Sequence, residues 1–291
     1  MNNSFFKFYV IGDPIDHSLS PMMHNFFLDK FKLKGKYAAR LVKIGELDKA
    51  IITFINEGVT GINVTSPHKK TVLKYIDELT SEAESIGSVN TIKFENNKLI
   101  GHNTDAIGFQ ASLRVLGRSF ENKNAIIFGA GGAARAVVAA LIREQCKKIV
   151  ICNRNLDKAK ALVDDLSYRY TGIELVAVSI DFAEINSVIK SSQLLVNATT
   201  VGRNDMINTS ILSNTGGLHK DLLVYDLIYR PYQTKLLHQA ESCSIPWING
   251  IDMLIFQGIE SLKFWIKRDL SIDDSIYSLI KNMLRREVCQ E

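Results

Sequence analysis

The sequence predicts a two-domain α/β fold, a mixed α/β domain joined to a doubly wound parallel-sheet domain. Three observations carry this prediction. From Phe8 onward, short β-branched or aromatic runs alternate with longer helix-period segments, the pattern of β-α-β units. A polar stretch at residues 118–124 interrupts the alternation as a linker or boundary loop would, and a second series starts after it. That series opens on a strand running directly into Gly129-Ala130-Gly131-Gly132. A length of 291 residues suits two domains with sizeable cores.

In chain order, residues 8–11 read as the first strand. Ser20 and Pro21 read as N-cap and first helical residue, because serine accepts from an orphan N–H and proline has none to lose. The helix then runs to about Lys34. Residues 37–42, a helix near 46–56, and residues 61–65 repeat the theme. Residues 91–94 and 99–102 flank Glu95-Asn96-Asn97-Lys98 as a hairpin, which makes the first domain mixed. A helix from Asp105 to about Leu116 precedes the polar stretch. Strands of the second series fall at 125–128, 148–152, 174–178, 194–197 and 222–226, with helical stretches between most of them. Residues 253–267 and 274–286 are helical by period, with Leu254, Ile255, Ile259, Leu262 and Ile266 on or near one face.

Composition excludes several functional classes. Lys plus Arg number 35 against 31 Asp plus Glu, so the net charge of +4 is spread thinly and makes no case for nucleic acid. The longest wholly apolar run, residues 136–142, is far short of the ~18 residues of a membrane span. The N-terminus lacks the pattern of a signal peptide, so a cytoplasmic protein is expected. Cys146, Cys152, Cys243 and Cys289 form no C-x-x-C pair and have no histidine at zinc spacing, which argues for reduced, mostly structural thiols and against a metal site. Cys152 reads as a packed strand thiol.

Gly129-Ala130-Gly131-Gly132-Ala133-Ala134 fits G-x-G-x-x-A between a strand and an apolar-faced helix. Gly129 permits the tight turn, Gly131 lets backbone approach a pyrophosphate, and Ala134 allows close helix-to-strand packing, so the second domain reads as a Rossmann-like dinucleotide-binding unit. An NAD-binding unit usually carries Asp or Glu at the end of the next strand. Here that strand ends in Asn153-Arg154-Asn155, with Lys158 one turn further on. A guanidinium binds a 2′-phosphate bidentately where a carboxylate would repel it, so NADP(H) is the expected cofactor. Asp157 is the residue that would serve NAD if the loop folds differently.

Three further clusters lie at the ends of predicted strands. Ser18 and Ser20, in His17-Ser18-Leu19-Ser20-Pro21, suit a carboxylate-binding hydroxyl pair, and Ser20 equally suits a plain helix cap. Lys69, closing Asn63-Val64-Thr65-Ser66-Pro67-His68-Lys69, is either a general acid/base or a solvated surface lysine. Asp105, in Asn103-Thr104-Asp105, is either a reacting group or the cap of its helix.

Taken together, these residues closely resemble the shikimate dehydrogenase family over almost the whole chain, from about Val10 to about Gly258. The resemblance rests on the clusters above with His24-Asn25, Val89-Asn90-Thr91, Gly129 to Arg135, Asn153-Arg154, Asn197-Ala198-Thr199, and Met253-Leu254 with Gln257-Gly258. It implies an enzyme that reduces 3-dehydroshikimate to shikimate with NADPH in aromatic amino acid and chorismate biosynthesis, without a metal. Lys69 and Asp105 become the catalytic pair, and Ser18 and Ser20 hold the substrate carboxylate. Thr65, Asn90 and Gln257 contact ring hydroxyls, and Tyr229 lies near the carboxylate. Cofactor contacts are implied at Gly129, Ala130, Gly131, Gly132, Ala133, Asn153, Arg154, Lys158, Thr199 and Gly250. The resemblance further implies a substrate domain of residues 1–108 and 251–291, an NADP-binding domain of residues 109–250, an active site in the cleft between them, and a monomer or homodimer. Asn155, Arg203 and Asp252 depart from the commonest family pattern, where Thr, Met and Gly are frequent. Two rival functions are a quinate/shikimate dehydrogenase using NAD, against which Ser20 argues because quinate users often carry Thr there, and a catalytically silent sensor of shikimate-type ligands.

Overall fold

In the computed structural model, which describes residues 5–181 and 183–290, the chain begins with β1 (Phe6–Gly12), α1 (Ser20–Lys30), β2 (Gly35–Leu41), α2 (Leu47–Asn56) and β3 (Gly61–Val64). A short 3₁₀ turn, Thr71–Tyr75, leads to β4 (Glu78–Leu79), α3 (Ser81–Ile86), β5 (Thr91–Glu95), β6 (Lys98–His102) and α4 (Asp105–Val115). The strands form one sheet ordered β2-β1-β3-β5-β6-β4. β1 pairs in parallel with β2 and β3, whereas β3–β5 and β5–β6 are antiparallel, as the hairpin predicts. Asn96 and Asn97 both adopt positive φ, 51° and 60°, between the paired Glu95 and Lys98, which is the left-handed conformation a two-residue hairpin loop demands and asparagine tolerates.

Helix α1 corrects two expectations. Ser20 is not its N-cap: Leu19 occupies that position, Ser20 is the first helical residue, and the Ser18 Oγ accepts the Ser20 N–H at 3.3 Å. The helix also stops at Lys30, short of residue 34. Lys32 takes φ 54°, its N–H donates to the Asp29 carbonyl, and the Leu33 N–H donates to the Leu28 carbonyl at 2.8 Å, a Schellman closure. Apolar Phe31 and Leu33 prolong the helical period in the sequence, and a lysine in the αL position gives no warning of the stop. Asn25 of α1 then brackets edge strand β2, accepting from the Tyr37 N–H and donating to the Tyr37 carbonyl, both at 2.9 Å.

The C-terminal helices are α9 (Ile251–Ile266) and α10 (Asp274–Cys289). Trp265 of α9 is buried, stacks on Phe8 at 4.6 Å and donates its indole N–H to the Ile92 carbonyl at 2.9 Å. Gly61 lies against this indole, which any Cβ there would strike. One face of the sheet is sealed by Ile11, Leu47, Ile51, Phe54, Ile62, Val64 and Ile92, each worth roughly 1.5–3 kcal/mol of burial.

The second series is β7 (Asn124–Phe128), α5 (Gly132–Arg143), β8 (Lys148–Asn153), α6 (Leu156–Arg169), β9 (Glu174–Ser179), α7 (Ile185–Lys190), β10 (Leu194–Asn197), β11 (Leu223–Asp226), α8 (Lys235–Ser242) and β12 (Trp247–Ile248). Its sheet is ordered β12-β11-β10-β7-β8-β9, with every pair parallel. Strand order therefore reverses between β7 and β10, the topological switch point beside which doubly wound sheets bind ligands. Ile126, Phe128, Val150, Leu195, Val224, Leu236 and Leu237 fill one of its faces.

The chain divides into two units, Met1–Gly108 with Leu254–Leu284, and Phe109–Met253 with Arg285–Glu291. The chain passes from one to the other within α4, α9 and α10. No helix among the described residues is long and apolar enough to cross a membrane. Among those residues, no group of three or more His, Cys, Asp and Glu side chains is placed to hold a metal ion. Burial pushes the Cys146 and Cys152 thiols up to about 12, so neither is a ready nucleophile.

Candidate active site

In the first unit the topology gathers the polar clusters at one end of the sheet's strands. β1 and β3 are parallel neighbours, so the segment carrying Ser18 and Ser20 and the segment carrying Thr65 to Lys69 leave the sheet on the same side. β5 runs antiparallel to β3, which brings its start, at Asn90 and Thr91, to that side too. The Asp13 N–H donates to the Ser66 carbonyl at 3.1 Å, and a Cβ on Gly12 would lie 2.9 Å from that oxygen, so the two strand exits touch. Thr65 is half-buried, and its N–H donates to the Ile11 carbonyl at 2.9 Å. His68 is buried and donates its Nε2–H to the Val42 carbonyl at 2.6 Å, tying down the turn that carries Lys69.

Lys69 and Asp105 meet. The ammonium Nζ lies 2.5 Å from Asp105 Oδ2, with side-chain exposures of 15% and 6%. Lys69 is therefore not a solvated surface lysine. The Lys69 carbonyl accepts from the Val89 N–H at 2.9 Å, which anchors the backbone beneath it. Asp105 does not spend its carboxylate on capping: the Asn103 side-chain oxygen accepts the Asp105 N–H at 3.0 Å, and Asn103 is held by donating to Ser88. Asp105 Oδ1 accepts from Asn90 Nδ2 at 2.8 Å. The same Asn90 nitrogen lies 3.5 Å from Gln257 Oε1. Lys69, Asn90, Asp105 and Gln257 thus form one hydrogen-bonded group, and Ser18, Ser20 and Thr65 share its unit. The Ser18 hydroxyl, whose oxygen is engaged by the Ser20 N–H, keeps its proton to donate outward.

In the second unit the residues fit a dinucleotide. Gly129 has φ +117°, and a Cβ there would lie 2.9 Å from the Ala198 carbonyl, so the turn after β7 demands glycine. At Gly131 a Cβ would meet nothing within 4 Å, which leaves open space in front of the first turn of α5. Ala134 is buried, whereas Ala130, Gly132 and Ala133 are half-exposed. Arg135 is buried in an ion pair with Asp165 of α6; burial alone would raise Asp165, but Arg135 and Arg169 hold its carboxyl below the usual range.

The corner after β8 is ordered by its asparagines. Asn153 Nδ2 donates to the Asn155 carbonyl at 2.8 Å, and Asn155 Oδ1 caps α6 by accepting the Lys158 N–H at 3.1 Å. Asparagine at 155 thus serves as the helix cap. Arg154 and Lys158 are both exposed at this corner. Thr199 donates its N–H and hydroxyl to Asn197 Oδ1 at 3.1 and 2.7 Å, shaping the loop after β10. Gly250 packs so closely on the Leu227 carbonyl that any Cβ would strike it. Tyr229 is half-buried in the segment after β11, in this unit. Arg203 opens a short 3₁₀ turn, and Asp252 is buried in the first turn of α9.

Asp226 is a structural tie that the sequence reading misses. It is fully buried at the end of β11 and accepts from Asn197 Nδ2 at 3.0 Å, the Ile228 N–H at 3.1 Å and the Thr234 hydroxyl at 2.7 Å, joining three loop segments. Burial pushes its carboxyl up to about 6, against the pull of those donors. Its folded pKa is thus above the unfolded one, and the native state binds the proton more tightly. The stability advantage of the wild type over Asp226→Asn should be largest below about pH 4 and shrink as pH rises through about 6. Urea midpoints for both proteins across that range check this; an advantage that grows with pH would contradict it.

A parallel sheet with the glycine loop at its switch point, together with a separate unit carrying a lysine–carboxylate pair, defines a two-unit dinucleotide-dependent dehydrogenase. Residues 10–92 match the family model for the shikimate dehydrogenase substrate binding domain, and residues 111–227 match that for shikimate/quinate 5-dehydrogenase. A curated relative, shikimate dehydrogenase (NADP(+)) of Methanopyrus kandleri, is 38% identical over 91% of each chain. Among solved structures, shikimate 5-dehydrogenase from Thermus thermophilus, in complex with NADP(H) and shikimate, superposes with TM-score 0.82 at 32% identity, covering 97% of this chain and 99% of that one. The enzyme from Listeria monocytogenes, in complex with shikimate and NAD, gives TM-score 0.85 at 31% identity over 96% of each. The chain belongs to the shikimate dehydrogenase family.

Proposed function

We propose that this chain catalyses the reversible, NADPH-dependent reduction of 3-dehydroshikimate to shikimate in aromatic amino acid biosynthesis, as a cytoplasmic enzyme. The hydrogen-bonded group of Lys69, Asp105, Asn90 and Gln257 is the observation that carries this reading. When bound, the cofactor supplies or takes the hydride at its nicotinamide C4. Gly129 to Ala133 would hold its pyrophosphate, Asn153, Arg154 and Lys158 its adenosine phosphate end, and Thr199 and Gly250 the remainder.

The substrate carboxylate binds at Ser18 and Ser20 through hydroxyl donors at the start of α1. Thr65, Asn90 and Gln257 contact the ring hydroxyls. Lys69 places its ammonium at the C3 oxygen, donating a proton as that oxygen gains charge in reduction and accepting it back in oxidation. Asp105 orients Lys69 through Oδ2. Labelled substrate tests the scheme: shikimate carrying deuterium at C3 should deliver the label to nicotinamide C4, and loss of the label to solvent would contradict direct transfer. The NAD held by the Listeria structure, together with the exposed Asp157 in the first turn of α6, favours NAD use as a second reading.

A further inference from the structure

We propose that Thr91, backed by Asn63 and Ser261, is a positioning residue that fixes the side-chain amide of Asn90 and, through it, the orientation of Asp105 toward Lys69. This rests on the reading of Lys69 and Asp105 as the reacting pair.

The donor inventory carries it. Asn90 Oδ1 accepts from the Thr91 hydroxyl at 2.8 Å and from the Thr104 N–H at 2.9 Å. With those lone pairs occupied, Nδ2 faces Asp105 Oδ1. The flipped amide would set an NH₂ against the Thr104 N–H and an oxygen against the carboxylate, both repulsive. Thr91 has one proton and two acceptors within reach, Asn90 Oδ1 at 2.8 Å and Ser261 Oγ at 2.9 Å, and its neighbours dictate which it takes. The Tyr37 hydroxyl donates to Asn63 Oδ1 at 2.7 Å, which turns Asn63 Nδ2 toward Thr91 Oγ at 3.1 Å and Ser261 Oγ at 3.0 Å. Ser261 spends its own proton on the Gln257 carbonyl at 2.9 Å and accepts from the Thr104 hydroxyl at 3.1 Å. Thr91, receiving from Asn63, donates onward to Asn90.

The donors therefore run one way, from Tyr37 through Asn63, Thr91 and Asn90 to Asp105 Oδ1, and every one of these residues is buried. Chains of this kind polarise cooperatively, and an amide held by two fixed donors cannot rotate. Asp105 Oδ2 is left to Lys69. Ser261 also ties the chain to Gln257 one turn earlier on α9, so the group that meets the substrate and the group that holds the carboxylate share one support.

The test is steady-state kinetics with shikimate and NADP⁺ on Thr91→Val, which keeps the side chain's shape and loses the hydroxyl, and on Thr91→Ser, which keeps it. Thr91→Val should lower kcat about 10- to 100-fold, the usual cost of a misplaced reacting group, displace the pH profile of kcat, and leave the NADP⁺ KM within about twofold. Thr91→Ser should restore most of kcat. Wild-type kcat and pH profile in Thr91→Val, or an equal loss in Thr91→Ser, would overturn the proposal. If Thr91→Val does not fold, Ser261→Ala takes its place: reduced kcat with unchanged NADP⁺ KM supports the role, and unchanged kcat overturns it. A folded wild type with no turnover would overturn the catalytic reading and this one with it, whereas an active wild type beside an unaffected Thr91→Val overturns this one alone.

Discussion

Replacing Lys69 by alanine lowers shikimate turnover by ~10² to 10⁴, the span of a positioned acid/base, while substrate affinity falls much less. The size follows from where Lys69 sits. Its side chain is largely shielded from solvent, so water is poorly placed to substitute for the missing ammonium, and Asp105 Oδ2 loses its cation. On the proposed scheme binding is spared, because Ser18, Ser20, Thr65 and Asn90 remain to hold the ring and its carboxylate. Initial rates together with calorimetric titration of shikimate separate the two quantities. Near-normal turnover in Lys69→Ala would remove it from the mechanism, and loss of binding in proportion to turnover would make it a binding residue only.

Arg154→Ala weakens NADP by roughly 1.5–3 kcal/mol, the worth of a charge-assisted hydrogen bond, and leaves NAD almost unchanged. Arg154 is exposed beside the end of β8, where Asn153 and Asn155 fix the backbone corner without using its side chain. The guanidinium is free to serve a 2′-phosphate, and its removal should not disturb the α6 cap. Dissociation constants for both cofactors, measured on both proteins by fluorescence or calorimetry, decide the matter. Equal losses for NADP and NAD would mean that Arg154 supports the fold of the corner rather than reading the phosphate.

The sequence is most informative where local chemistry allows one solution. Asn96-Asn97 between two apolar runs specifies a hairpin, and the glycine loop between strand and helix specifies the switch-point turn, including the positive φ of Gly129. The proposed reacting pair is harder to read. Nothing local separates Lys69 from its neighbour Lys70 or Asp105 from an ordinary helix cap; the order of motifs along the chain does, and the 2.5 Å contact across 36 residues explains why.

Other features depend on long-range contacts that leave little trace in sequence. The end of α1 is set by a lysine in the αL region, and β4 and β12 are two residues each, too short for any periodicity. Ser261 shares a helix face with Gln257 at i+4, a readable spacing, yet a mid-helix serine ordinarily does no more than bond its own preceding turn. Asp226 looks like a strand-terminal aspartate in any turn, and only the folded sheet shows three loops converging on it.

The most direct measurement is a cross-titrated assay of the purified protein, with shikimate or quinate each paired with NADP⁺ or NAD⁺, following the absorbance of the reduced nicotinamide. Turnover should be greatest by a wide margin for shikimate with NADP⁺. Comparable rates with quinate or NAD⁺ would indicate a dual-specificity quinate/shikimate dehydrogenase, and no turnover in any pairing, with shikimate still bound in calorimetry, would contradict catalysis by Lys69 and Asp105 altogether.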